Sequence, residues 1–170
     1  MAFVVEDGTG LPLANALVSV ADADAILAVN IHSTWSQIAD PAIKEKLIQW
    51  ATRLLCERVR WKGTRVSETS GLPFPRSGLK DADGIYFPND EVPQPVKTAV
   101  ATLADFLNSA DPTLPNSSAN LKRLDVDVIS LQFDMGTQPE RWPSAVALIL
   151  RDIASSVSFS KTGGKPIIKH

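Results

Sequence analysis

The stretch "DPAIKEKLIQWATRLLCERVRW" (residues 40–61) decides how the rest of the chain is read. Asp40 and Pro41 make an N-cap and first-turn pair. The carboxylate accepts from a free first-turn amide, and proline lacks the N–H that a helix start would leave unused. Behind them Ile43, Leu47, Trp50, Ala51, Leu54 and Leu55 recur at helical spacing, with Lys44, Glu45, Lys46, Gln49 and Arg53 on the far side. This predicts one amphipathic helix over about residues 41–60. Cys56 falls off the centre of the apolar stripe, which puts it under another element or at a subunit contact.

Upstream, Phe3, Val4 and Val5 form a short extended run that Gly8 and Gly10 break. Ser19 and Asp22 have capping-box spacing, and Val20, Ala23, Leu27 and Ile31 share a face, so a first helix is expected near 20–30. Downstream, residues 61–95 carry four glycines and five prolines, yet also Trp61, Leu72, Phe74, Ile85, Tyr86 and Phe87. That is too apolar for a solvated linker and reads as an ordered excursion packed on something. Pro93 and Pro95 lead into a third helix whose stripe is Val96, Ala99, Val100, Leu103 and Leu107. Alternation from Leu124 to Phe133 predicts a bent strand or a hairpin turning near Ile129–Ser130. Val146, Ile149, Leu150, Ile153 and Val157 predict a fourth helix over about 143–156. The expected fold is therefore mainly α. It has a small four-helix domain (1–157) with a long ordered loop (61–92), a short strand or hairpin, and an extended flexible tail (158–170).

The 170 residues suit one domain, and 44% hydrophobic with 21% charged residues is ordinary for a globule. A net charge of −2 excludes a chain that is basic throughout, so any contact with nucleic acid must be local. One cysteine allows no internal disulfide, no basic leader precedes Phe3, and no apolar run spans a bilayer. The expectation is a soluble protein made in the cytosol, without membrane contact.

Enzyme readings fail on the residues. His32 and His170 are unrelated in sequence to Cys56 and to each other, giving no metal spacing and no nucleophile–base pair. "TGGK" (162–165) has Phe159 where a P-loop needs its first glycine and Pro166 where it needs Ser or Thr. "KDADG" (80–84) puts Leu79 at the first ligand position of a calcium loop, so Asp81 and Asp83 read as turn residues. No cofactor is expected. Trp50 reads as core, Trp35 and Trp142 as core or staple residues at helix margins. Trp61 alone stands in a basic context, beside Arg58, Arg60 and Lys62.

Three stretches resemble a known family: "FVVEDGTGLPLANALVSVADAD" (3–24), "WATRLLCERVRWKGTRV" (50–66) and "FPRSGLKDADGIYFPNDEVPQPVKTAVATLADFL" (74–107). The specific parts are E-D-G-T-G with Ala14–Asn15, R-W-K-G, the Pro75–Arg76–Ser77–Gly78 turn and the V-P-x-x-V-K approach to the third helix. They resemble tailed-phage head–tail connector, or adaptor, proteins, a family often labelled DnaT-like single-stranded-DNA-binding. Leu17 stands where an aromatic is usual, and Phe74 where a tryptophan is. The resemblance implies a virion protein without catalytic residues, a ring of twelve copies beneath the portal that extends the DNA channel and presents a surface to the tail. Its partners would be itself, the portal, the tail and the passing genome, which it would not read by sequence.

On that reading the loop supplies a subunit interface. Arg65, Arg76 and Lys80 would pair with Asp83, Asp90 and Glu91 of adjacent copies, while Leu72, Phe74, Tyr86 and Phe87 supply apolar contact. The tail would order on the portal through Phe159, Lys161, Lys165, Ile167, Ile168 and Lys169. The alternative is a DnaT-like protein of replication restart that binds single strands. It would use Arg58, Arg60 and Lys62 on phosphates, with Trp61 and Phe74 as stacking platforms.

Overall fold

The carboxylate of Asp40 accepts from Ala42 N at 2.9 Å, Pro41 occupies the first turn, and the longest helix starts where the sequence predicts. The computed structural model describes residues 2–111, 123–126, 129–132 and 143–157. Its helices are α1 (Val20–Leu27), α2 (Pro41–Arg58), α3 (Gln94–Ser109) and α4 (Ser144–Leu150), with a 3-10 turn at Trp35–Gln37. Its strands are β1 (Val59–Trp61), β2 (Thr64–Arg65), β3 (Arg76–Ser77), β4 (Arg123–Val126), β5 (Ile129–Gln132) and β6 (Ala154–Val157). Among the described residues the strands pair antiparallel and two by two, β1 with β6, β2 with β3 and β4 with β5, and Val5 and Ala16 make an isolated parallel bridge.

α3 is the central element, packed on α1, α2 and α4. The five residues of its expected stripe are all buried, joined by Ala101 and Ala104, whose small side chains let the neighbouring helices approach. In α2 the buried face is Ile48, Ala51, Thr52, Leu54 and Leu55. That is a rotation from the expected stripe: Ile43 is 45% exposed and Trp50 only half-buried. The shift has a polar cause that hydropathy misses. Thr52 is fully buried because its Oγ1 accepts from Leu17 N at 3.3 Å, stitching the N-terminal segment to the helix. Ser19 caps α1 as its spacing predicts, accepting from Asp22 N at 3.0 Å.

The expectation of a mainly α fold is corrected: the domain mixes four helices with small antiparallel ladders. The β2–β3 ladder lies inside the expected loop 61–92, and two local errors account for the β1–β6 ladder. α2 stops at Arg58, and the chain continues as β1; the fourth helix stops at Leu150, and Ala154–Val157 extends to pair with β1 in the register Val59↔Val157, Arg60↔Ser156, Trp61↔Ala154. Ser155, Ser156 and Val157 are poor helix formers, and the open edge of β1 offers their backbone a ladder. Ile153 is buried at the turn between helix and strand, which is why it also fitted helical spacing. β4 and β5 pair Val126 with Ile129 and Asp125 with Ser130, so Ile129 and Ser130 belong to a strand rather than to the expected turn.

Candidate nucleic-acid interface

β1 leaves the end of α2 with Val59 buried, Arg60 exposed and Trp61 half-buried, and a register irregularity between Arg60 and Trp61. β6 closes one edge. Ser155 Oγ donates to Arg60 O at 3.0 Å, Lys62 N donates to Ile153 O at 3.0 Å, and Lys62 Nζ donates to Asp152 O at 2.8 Å. The start of the basic stretch is thus held by backbone and presents Arg60 and Lys62 outward.

The next turn is built around two arginines. Arg65 and Arg76 are direct partners across the β2–β3 ladder. Arg76 donates from Nε to Lys62 O (2.7 Å), from Nη1 to Pro73 O (3.2 Å) and from Nη2 to Gly63 O (2.6 Å). Arg65 Nη2 donates to Ser70 O and to Leu72 O, the latter at 3.1 Å. The hydroxyl of Ser70, itself buried, shares its one proton between Leu72 O (2.9 Å) and Phe74 O (2.8 Å). Guanidinium forks here replace a regular sheet as the partners of the loop's carbonyls. Burial, and then the neighbouring Arg65 charge, push the Arg76 guanidinium below its ordinary value.

Phe74 is fully buried, and the Trp61 ring meets it edge-on at 4.8 Å between centroids. The Trp61 indole N–H finds no acceptor among the described residues. Farther along, Lys80 and Tyr86 bridge the two sides of a tight turn. Asp81 Oδ1 accepts from Asp83 N (3.0 Å) and Ile85 N (2.8 Å), the turn role that its spacing predicts. Lys80 Nζ lies 4.5 Å from the Tyr86 ring centroid, and Tyr86 is 63% exposed.

The glycine-rich opening is structural. Glu6 is buried, and its carboxylate accepts from Gly8 N (3.0 Å), Gly10 N (2.8 Å) and Leu11 N (2.9 Å). Gly8 sits at φ +102°, and a Cβ there would lie 1.8 Å from Asp90 O, so E-D-G-T-G is a loop clamped against the approach to α3. Asn15 Oδ1 accepts from Val4 N (3.0 Å) and from Gln49 Nε2 (3.1 Å), fastening the same segment to α2.

Electrostatically the surface is lopsided. Three cations elsewhere meet acids: Lys44 with Asp24 (2.8 Å), Arg53 with Glu57 (2.9 Å) and Arg151 with Asp152 (3.3 Å). Among the described residues none of Arg60, Lys62, Arg65, Arg76 and Lys80 forms an ion pair; the side-chain contacts of Lys62, Arg65 and Arg76 are carbonyls, and that of Lys80 is a ring. Carbonyls orient a cation without neutralising it, so the face retains its positive charge.

Of the sequence-predicted site residues, β1–β3 brings together Arg60, Trp61, Lys62, Arg65 and Arg76, while Arg58 is half-buried in the last turn of α2. Two expectations for Phe74 are corrected. At 0% exposure it is neither a stacking platform nor an interface contact, because it fills the core beneath the loop. Leu72 and Phe87 are half-buried and pack on that core, whereas Tyr86, Asp83, Asp90 and Glu91 are exposed. Phe159, Lys161, Lys165, Ile167, Ile168, Lys169 and Trp142 lie outside the described residues. Sequence reading missed the clamping roles of Glu6, Asn15 and Ser70; the one available signal was an acid two residues before the first of two closely spaced glycines.

A family model described as "Putative DnaT-like ssDNA binding protein" matches residues 1–166. No curated protein and no solved structure matches the chain. The match overturns the resemblance to head–tail connectors: it covers nearly the whole chain, and nothing in the comparisons points to a connector.

Proposed function

The chain belongs to the DnaT-like ssDNA-binding protein family, and from that premise we propose that it binds single-stranded DNA through the face built by β1, β2 and β3. One observation carries the reading: five cations from Arg60 to Lys80 are gathered on one stretch of loop and strand with no carboxylate partner among the described residues. Phosphates are the counter-charge such a face lacks. Backbone-held guanidiniums hold their geometry before a strand arrives, which lowers the entropy lost on binding. Trp61 at the edge of the face and the exposed Tyr86 supply ring surface for unpaired bases, a contact open to any sequence. The role is binding, without a chemical step.

The test is fluorescence anisotropy with a labelled oligothymidylate and its duplex counterpart over a salt series. Binding to the single strand that weakens steeply with salt, with a log–log slope of about −0.7 per phosphate engaged, is the expected result. K62E combined with R60E is expected to weaken it at least tenfold. No binding at the lowest salt overturns the reading.

A further inference from the structure

The paired arginines pose a physical problem that their protein contacts leave unsolved. Arg65 and Arg76 face each other across the β2–β3 ladder, where opposite side chains lie within about 5.5 Å at Cβ and like charges repel. Their forks reach neighbouring carbonyls, Leu72 O for Arg65 and Pro73 O for Arg76, which draws the two charges to one short segment. No carboxylate pairs with either among the described residues. A guanidinium has five N–H donors. Arg76 spends three on carbonyls and Arg65 two, so two and three N–H groups respectively remain without an acceptor among the described residues.

We infer that Arg65 and Arg76 together form a clamp for one phosphate group, which places a phosphodiester of the bound strand over the β2–β3 ladder. The inference rests on the proposed function for the strand, though free phosphate presents the same chemistry. The anion supplies the charge the pair lacks, and its two non-bridging oxygens match the remaining N–H groups of two forks. The carbonyl contacts act as the rear support: they hold each fork so that its free edge stays directed at the ligand. Arg60, without such support, and Lys62, whose single ammonium is held by Asp152 O but offers no fork, attract the strand but do not fix its register.

The Nε–Hε signals of Arg65 and Arg76 in the full chain, assigned with R65K and R76K, are followed by NMR during titration with inorganic phosphate and, separately, with an oligothymidylate. Both signals are expected to move with either ligand. R65Q is expected to lower the salt slope of oligothymidylate binding by about 0.7, whereas R65K keeps the slope and weakens binding severalfold, because charge survives and the fork does not. If the oligonucleotide binds while both signals stay still and R65Q keeps the full slope, the clamp is overturned and the single-strand reading stands. If phosphate moves both signals but no oligonucleotide binds, the clamp stands as a site for free phosphate and the single-strand reading falls. If neither ligand moves them, the clamp is overturned whatever the variants do.

Discussion

Glu6 shows how much one side chain organises. Its carboxylate satisfies three backbone N–H groups that no other described residue reaches, inside a loop pressed on the approach to α3. Removing it as E6A strands those donors, and a loss of about 4 kcal/mol in urea unfolding is expected; E6Q, which keeps one carbonyl oxygen, should lose about half. Cys56 sits at the opposite extreme of reactivity. Burial, and then the adjacent Glu57 charge, push its thiol up to about 12. Only the thiolate attacks a disulfide reagent, so labelling of the folded protein at pH 8 should run about a thousandfold slower than in denaturant. Comparable rates in both states would place the thiol at the surface. At this scale the sequence was a fair guide to caps and a poor one to clamps. Ser19 and Asp40 announce themselves by their near neighbours along the chain, whereas the partners of Arg76 lie 3, 13 and 14 residues away and are carbonyls, which every residue carries.

Elements differ in how far local chemistry determines them. α2 begins where Asp40 and Pro41 say it must, and D40A is expected to cost about 1 kcal/mol in denaturant unfolding without altering salt-dependent DNA binding. Its end is another matter. Nothing between Leu55 and Trp61 forbids another helical turn; β1 exists because β6 pairs with it, and β6 lies some ninety residues away in sequence. The turn that delivers β6 rests on Ile153, which is 1% exposed, so I153A should destabilise by about 3 kcal/mol through the cavity it leaves. L148A, at a position 67% exposed on α4, should fall within about 0.5 kcal/mol of the unsubstituted protein. Equal effects at the two positions would mean that Ile153 is not buried at this turn. The basic face depends on the same pairing, since β6 and its turn hold Arg60 O, Lys62 N and Lys62 Nζ.

Across the molecule, charge is segregated rather than abundant. Lys44 and Trp35 Nε1 both donate to Asp24 Oδ1, at 2.8 and 2.6 Å, joining α1, the 3-10 turn and α2. Burial pushes the Asp24 carboxyl up, but the bonds from Lys44 and Trp35 and the Lys44 charge outweigh it and hold the group below its ordinary value. A carboxyl whose pKa is lower folded than unfolded stabilises the fold fully above the unfolded value. That contribution fades as pH falls from about 4 through the folded value. D24N should therefore flatten the fall of melting temperature with acid below about pH 4; an unchanged acid profile would remove this contact from the account. A net charge of −2 is compatible with a DNA-binding face because acids pair with cations on α1 and α2, while the cations of β1–β3 have no carboxylate partner among the described residues. By itself the sequence determined the helix starts, the α3 stripe, the turn at Asp81 and the concentration of cations between Arg58 and Lys80. Capping, amphipathic spacing and composition act within a few residues, and those can be counted along a chain. Only the tertiary structure decided that two predicted helical turns become paired strands, that Phe74 is core, and that Arg65 opposes Arg76 with carbonyls behind both. Those outcomes depend on which distant backbone groups need partners once the core has closed, and hydrogen-bonding demand of that kind has no signature in the order of side chains.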